Sequence, residues 1–380
     1  MKDLTEIRKE IDSVDDQITA LFQKRMEIVK EVAKSKSGTG KSVNDSEREN
    51  AVLYRLVNKV DDDIKFYLKE LYSTIFYTSK AYQSTMMGAT APTIEKLRAL
   101  TSSEFPDIPV CASVACQGIK GANSGTAAKK VFAISDVTYF KTFEGVFTAV
   151  DKGLCEYGIL PIENSTAGSV LEVYDLMRKH NFHIVRSARV RIEHALAGVQ
   201  GATIKDIKTV ISHPQALSQC AEYLKKLGVT TVVSENTAVA AKEVFDKGDK
   251  SVAALCSPDC ADIYGLQILE KSVQDSVANY TRFICIAKDL KVYKGADRIS
   301  VMTSLSHEPG SLNRILSRFS ALGLNLTKIE SRPIPNADFE FMFYFDFEGD
   351  IRDKAVENDI AELENGSDKF VFLGSYKEVL

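Results

Sequence analysis

The sequence predicts a multidomain chain: an all-α helical bundle, then an α/β domain, then a βαββαβ ferredoxin-like domain. Three observations lead there. Residues 1–86 contain no proline and carry a long heptad stripe. Residues 109–288 alternate strand-like and helix-like runs, and residues 298–380 read strand, helix, two strands, helix, strand. A length of 380 residues with 44% apolar and 26% charged side chains suits several globular domains, each with its own core.

In the first segment Leu4, Ile7, Ile11, Val14, Ile18, Leu21, Ile28 and Val32 follow 3-4-3-4-3-7-4 spacing. Gly38 and Gly40 then stop the helix. A helix over about 3–36 is roughly 50 Å long. Shorter helices are expected over about 45–59 and 62–86. They are too short to cover the first, and an intertwined homodimer is one physical answer. Residues 87–108 hold two of the nine prolines, with a third at Pro109, and read as a linker. In the α/β segment the strands are VCASVACQG, YGILPIE, FHIVRSARVRI, TVISH, TVVS, VAALCS and YTRFICIA. In the last they are RISVMTSLS, LNLTKIES, FEFMFYFDF and KFVFLGSY, with helices over SLNRILSRFSALG and DKAVENDIAELE.

Composition removes several functions. With 48 basic against 52 acidic residues the net charge is −4, so a general nucleic-acid binder is not expected. No run of about 18 apolar residues suggests a membrane span. The start MKDLTEIRKE has no apolar signal region, and a cytoplasmic enzyme is expected. Seven cysteines lack CxxC spacing and read as reduced thiols; five histidines lack metal-ligand spacing. No metal and no cofactor are expected.

The helical segment carries one anomaly. Arg25 falls at the seam position otherwise held by Leu4, Ile11, Ile18 and Val32. A charge there either locks register against a carboxylate or binds an anion. Lys36 lies about 20° round the helix and about 16 Å further along it, so the two can close on one ligand. Arg8 is about 100° away and fits better as a contribution from a partner chain. Asp45 and Glu49 are one turn apart with Arg48 beside them, and so are Ser79 and Gln83. Asp45 and Glu49 also suit a plain helix N-terminus.

Over its whole length this segment resembles the all-helical chorismate mutase family. The matching residues are Arg8, KRMEIVKEVAKSK with Arg25 and Lys36, NDSERE with Asp45, Arg48 and Glu49, then Ser79 and Gln83. The resemblance implies that Arg25, Lys36, Arg48 and a partner's Arg8 grip the two carboxylates of chorismate. Asp45 would accept its hydroxyl, and Lys36 and Gln83 would donate to the breaking ether oxygen. The pericyclic step to prephenate needs no nucleophile, only a compact bound conformer and stabilised charge. Gln83 has no proton to lose, so turnover is not expected to fall as pH rises through neutrality.

In the α/β segment, GIKGANSGTAA holds Gly118, Gly121 and Ser124. PIENSTAGSV places Glu163 and Asn164 after a strand, ISHPQALSQC holds Ser212, His213, Gln215 and Gln219, and NYTRF holds Thr281 and Arg282. Each alone reads equally as a turn, a capped helix or a strand residue. Together, over about 180 residues, they resemble the prephenate dehydratase family. That implies two α/β lobes flanking a cleft, as in periplasmic binding proteins. Thr281 is then the catalytic donor to the leaving hydroxyl, with Glu163, Asn164, Ser124, Ser212 and Gln219 around the substrate. Cys116 and Asn123 stand where the family usually has aromatic residues.

HEPGSLNRIL and GLNLTKIESRP resemble the ACT regulatory domain of these dehydratases. The resemblance implies L-phenylalanine bound by Gly310, Ser311, Leu312, Glu330, Ser331, Arg332 and Pro333 between paired domains, with catalysis weakened in turn. The whole reads as a bifunctional isomerase and lyase that converts chorismate to prephenate and then to phenylpyruvate. An arogenate-preferring dehydratase and a non-catalytic phenylalanine-binding regulator are the alternatives.

Overall fold

The computed structural model describes residues 3–37, 45–87, 91–101, 103–276, 278–305, 307, 310–334 and 340–380. Four helices open the chain: α1 (Leu4–Lys36), α2 (Ser46–Val57), α3 (Lys65–Met87) and α4 (Pro92–Thr101). The first three lie where periodicity places them. The fourth occupies the expected linker. It forms because Ala91, Ile94 and Leu97 recur every third residue and bury one stripe.

The α/β part follows as β1 (Cys111–Gln117), α5 (Asn123–Val131), β2 (Ile134–Phe140), α6 (Phe143–Asp151), β3 (Tyr157–Asn164), β4 (Gly168–Ser169), α7 (Leu171–His180), β5 (His183–Arg191), β6 (Ala195–Gly198), β7 (Thr209–Ser212), α8 (Pro214–Gln219), α9 (Ala221–Leu227), β8 (Thr230–Val233), α10 (Thr237–Lys247), β9 (Val252–Cys256), α11 (Pro258–Ile263), β10 (Gln267–Glu270) and β11 (Tyr280–Ala287). The chain ends with β12 (Arg298–Ser304), α12 (Ser311–Ala321), β13 (Leu326–Pro333), β14 (Phe341–Glu348), α13 (Lys354–Asn365), β15 (Phe370–Tyr376) and β16 (Glu378–Val379).

The chain divides into two compact units. One comprises Met1–Ala99, Leu305–Gly323 and Arg352–Asp368; the other comprises Leu100–Ser304, Leu324–Ile351 and Lys369–Leu380. The last segment keeps its βαββαβ order, but its helices count with the first unit and its strands with the second.

In the helical unit α3 packs along α1 and α2. Only Val29 and Ala33 of α1 are buried, and the heptad stripe from Leu4 to Val32 stays exposed in the single chain. In the second unit one sheet runs β16-β5-β11-β3-β1-β2, with β4 on β3, and a second runs β10-β6-β9-β7-β8. The chain leaves the first sheet after β5 and returns to it at β11. These two crossovers give the two lobes. A third, antiparallel sheet runs β13-β14-β12-β15. Its Met302, Tyr344 and Leu373 share a core with Leu160, Ile184 and Ile284 of the first sheet. Gly374 makes this contact possible, because a Cβ there would sit 2.2 Å from the Ile184 carbonyl oxygen. The two-residue β16 joins the first sheet beside β5, an addition the sequence did not announce.

Candidate active sites

Arg25 points from α1 toward α3. It is partly buried, donates to the Ser79 hydroxyl, and its guanidinium lies 5.9 Å from the centre of the Phe76 ring. Among the described residues no carboxylate pairs with it. Burial therefore lowers its pKa below the ordinary arginine value. Ser79 is itself satisfied, donating to the Ile75 carbonyl at 2.6 Å. Gln83, one turn on, is buried; its Nε2 reaches the Ser79 carbonyl at 3.4 Å and its Oε1 has no partner among the described residues. Interchanging the amide ends would set oxygen against the Ser79 carbonyl and pair neither end, so a buried amide group stays unpaired in either assignment, an uncommon state without a ligand.

The other expected residues are placed as follows. Lys36 ends α1 and is partly buried. Asp45 caps α2, accepting from the Arg48 backbone N–H at 3.0 Å, and both side chains are exposed. Glu49 pairs with Lys80 at 3.0 Å, a partner not singled out from the sequence. Arg8 is exposed, about 25 Å along α1 from Arg25, and so is remote from Arg25 within its own chain.

In the α/β unit, register decides which motif residues meet. Thr281 pairs with Asn164 across β11 and β3, and Arg282 pairs with Glu163. Successive strand residues face opposite ways. Thr281 and Asn164 are thus on one face, and Glu163 and Arg282 on the other. Asn164 Nδ2 donates to Thr281 Oγ1 at 2.9 Å and to Asn279 Oδ1 at 2.8 Å. Its Oδ1 accepts from the backbone N–H groups of Thr166 and Ala167 at 3.1 and 2.9 Å, and from the Thr166 hydroxyl at 2.7 Å. Gln219 donates to the Thr166 hydroxyl at 2.9 Å and accepts from Asn279 Nδ2 at 3.0 Å. Asn279, Thr166 and His194 complete this cluster and were not singled out, although Asn279 opens the NYTRF motif and Thr166 falls within PIENSTAGSV; His194 and Asn279 lie on the crossovers between sheets.

The structure places Glu163 apart from this cluster. Its carboxylate binds Lys328 at 2.7 Å and lies 3.5 Å from Arg282, behind the strand pair. Arg282 in turn binds Asp346 at 2.6 Å. Burial works against its charge, yet the Asp346 carboxylate more than offsets that and holds its pKa above the ordinary value. Arg282 is therefore engaged by carboxylates on the face away from Thr281. Ser124 and Ser212 are buried with their protons committed, to the Gln117 and Leu255 carbonyls, both at 2.7 Å. They can offer a ligand only acceptor lone pairs. His213 caps α8, its Nδ1 accepting from the Gln215 N–H.

Of the expected effector residues, Gly310 caps α12 with φ +84°, Ser311 is buried and accepts from Arg314 at 2.8 Å, and Leu312 is half-buried. Residues 330–333 end the edge strand β13. Glu330 accepts from Ser169 of β4, and Arg332 binds Asp175 of α7 at 2.7 Å. Pro333 accepts from Arg178 at 3.4 Å, and Ser331 is exposed. Lys328 also donates to Ser169 at 2.7 Å. This strand thus grips the turn that follows Asn164. No group of His, Cys, Asp and Glu among the described residues is arranged to hold a metal ion.

The family profile of chorismate mutase type II matches residues 7–84, that of prephenate dehydratase residues 114–291, and that of the ACT domain residues 299–365. The bifunctional chorismate mutase/prephenate dehydratase of Aquifex aeolicus (strain VF5) is 30% identical over 384 residues, covering 100% of this chain and 99% of that one. Arogenate dehydratase/prephenate dehydratase 2, chloroplastic, of Arabidopsis thaliana is 38% identical over 275 residues, covering 69% and 72%. The structure of prephenate dehydratase in complex with L-Phe from Arthrobacter aurescens matches with a TM-score of 0.64 at 28% identity, covering 70% of this chain and 89% of that one. With three domain families in this order and a relative alike from end to end, the chain belongs to the family of bifunctional chorismate mutase/prephenate dehydratases.

Proposed function

We propose that the chain converts chorismate to prephenate in its helical unit and prephenate to phenylpyruvate in its α/β unit, under feedback inhibition by L-phenylalanine. The observation that carries this reading is that each unit holds its own incomplete polar constellation. In the first, a desolvated Arg25, without a carboxylate among the described residues, donates to Ser79, which lies one turn from Gln83 and its unpaired Oε1. In the second, Thr281 accepts from Asn164 and donates to no group among the described residues.

A dianionic guest supplies what Arg25 lacks. Arg25, Lys36 and Arg48 would hold its carboxylates, and Glu49 and Ser79 would position them. Asp45 would accept the guest's hydroxyl, and Gln83 and Lys36 would donate to the ether oxygen as that bond breaks. The exposed stripe of α1 is covered by a second copy, whose Arg8 reaches the site. In the dehydratase step the ring C–carboxylate bond breaks and its electron pair enters the ring. Carbon dioxide departs, the C4–O bond breaks with its pair, and the leaving hydroxide takes a proton from solvent and departs as water. The Thr281 hydroxyl donates to that oxygen, and the aromatic ring formed drives the reaction. Gly310–Leu312 and residues 330–333 would contact phenylalanine, the latter touching the turn after Asn164 through Ser169. No described helix is long and apolar enough to cross a membrane, and a cytoplasmic location fits that.

The test is incubation of the purified chain with chorismate, with and without phenylalanine, following phenylpyruvate. Arg25→Ala should abolish mutase turnover and leave turnover of added prephenate; Thr281→Ala should do the reverse. Loss of both activities in either folded variant overturns the two-site reading. The plant relative named for arogenate favours a second reading, in which the α/β unit prefers arogenate; the ratio of turnover on the two substrates decides.

A further inference from the structure

We infer that His194 and Asn279 are positioning residues of the dehydratase site, and that a neutral His194 protonated on Nε2 completes a one-way hydrogen-bond chain that turns the Thr281 proton toward the substrate. This rests on the dehydratase reading and adds residues to it.

The direction of the chain follows from its anchor. Backbone N–H groups can only donate, so those of Thr166 and Ala167 fix Oδ1 of Asn164 on their side. Its Nδ2 then faces Thr281 and Asn279. Asn279 must answer with Oδ1, which turns its own Nδ2 toward Gln219 at 3.0 Å. Gln219 must answer with Oε1, which sends its Nε2 to Thr166. The remaining contact of Gln219 Oε1 is His194 Nε2, also at 3.0 Å. An amide oxygen cannot donate, so the imidazole carries its proton on Nε2. Burial agrees, lowering the His194 pKa against the opposing bond to Gln219. At the other end Thr281 Oγ1 is an acceptor of Asn164, and the one hydroxyl proton it owns is left for a substrate oxygen.

Reversing any link presents two donors or two acceptors to each other. With Gln219 turned over, its Nε2 would face Asn279, whose own Nδ2 would then meet Nδ2 of Asn164. His194 holds Gln219 against that. Its place is informative: His194 lies on the outgoing crossover between the lobes and Asn279 on the returning one. The two crossovers are joined by Ile192 N–H to the Asn279 carbonyl at 2.8 Å and by Val273 N–H to the His194 carbonyl at 2.9 Å. The orientation of the donor at Thr281 is thus tied to the geometry of the two crossovers.

The test compares two variants on added prephenate. His194→Met keeps much of the volume without a donor; His194→Gln restores an N–H donor. His194→Met should lower kcat roughly 10- to 100-fold with little change in KM, and His194→Gln should recover most of the loss. Mutase turnover should be unaffected in both. Long-range 1H–15N spectra of the wild-type chain read the tautomer directly, the His194 signals being those absent in His194→Gln. Protonation on Nε2 is expected. A proton on Nδ1, an undiminished kcat in His194→Met, or an equal loss in both variants overturns the inference. If His194→Met does not fold, the tautomer still decides. If the wild-type chain fails to turn over prephenate, the dehydratase reading fails instead.

Discussion

Arg25→Met separates two reasons for placing a cation in a helical seam. If the guanidinium locks helices together through a buried carboxylate, removing it strands that carboxylate and costs about 3–5 kcal/mol. In the structure no such partner exists among the described residues. The variant loses one hydrogen bond from a charged donor, worth about 1.5–3 kcal/mol. It also loses a cation–π contact with Phe76, worth roughly 0.5–1 kcal/mol. Against this it recovers part of the desolvation penalty, several kcal/mol for a fully buried ion and on the order of half that here. Ser79 is not orphaned, because it keeps its bond to the Ile75 carbonyl. The balance lies within about 1 kcal/mol of wild type. Mutase turnover behaves oppositely. Two charge-assisted bonds to a carboxylate together supply on the order of 3 kcal/mol, so kcat/KM should fall at least about 100-fold. Urea unfolding followed by helical circular dichroism, at one fixed protein concentration because the unit is proposed to dimerise, gives the first quantity. A coupled chorismate assay gives the second. A loss of 3 kcal/mol or more, or retained mutase turnover, refutes the reasoning.

Three other outcomes are expected. Glu163→Gln should lower kcat on prephenate far less than Thr281→Ala, and lower stability by about 1–3 kcal/mol, because its carboxylate serves Lys328 and Arg282 behind the sheet; steady-state kinetics and urea midpoints check both. Arg332→Ala should keep turnover and raise the phenylalanine needed for half-inhibition by roughly 5-fold or more, since it frees β13 from Asp175; an inhibition curve unchanged from wild type counts against the relay. Asp359, fully buried beside Arg318 and Glu362, has its carboxyl pushed up to about 6 by burial, with Arg318 opposing. The folded state then holds this proton more tightly than the unfolded chain, whose carboxyl titrates near 3.8. Stability from this group is greatest below about pH 4, falls as pH rises to about 6, and is level above that. Asp359→Asn should remove that slope from the difference between the two urea midpoint curves.

What the sequence made legible divides along a physical line. Periodicity is local, so α1, α2 and α3 could be read within a few residues, and so could the βαββαβ order of the last segment and seven strands of the α/β segment, but not β2, β4, β6 or β10. The helix at Pro92–Thr101 escaped because three apolar residues in a stretch flanked by prolines are too short a signal to outweigh turn chemistry. Strand β16 escaped because two residues carry no pattern of their own; they become a strand only by pairing with β5, which is distant in sequence. Site residues divide the same way. The PIENS and NYTRF motifs hold the right neighbours, but adjacency in a motif says nothing about which face a side chain takes. One step along β3 separates Asn164, which meets Thr281, from Glu163, which meets Lys328. That distinction lives in the register between β3 and β11, set by pairing across more than a hundred residues. His194 and Asn279 lie deeper still. His194 sits on a crossover outside every motif; Asn279, though first in NYTRF, sits on the returning crossover, and their proposed role follows from the polarity of five side chains brought together from four parts of the chain. Motif reading therefore finds the residues that touch the chemistry more readily than those that orient them, and the second kind must be sought where strands leave one sheet for another.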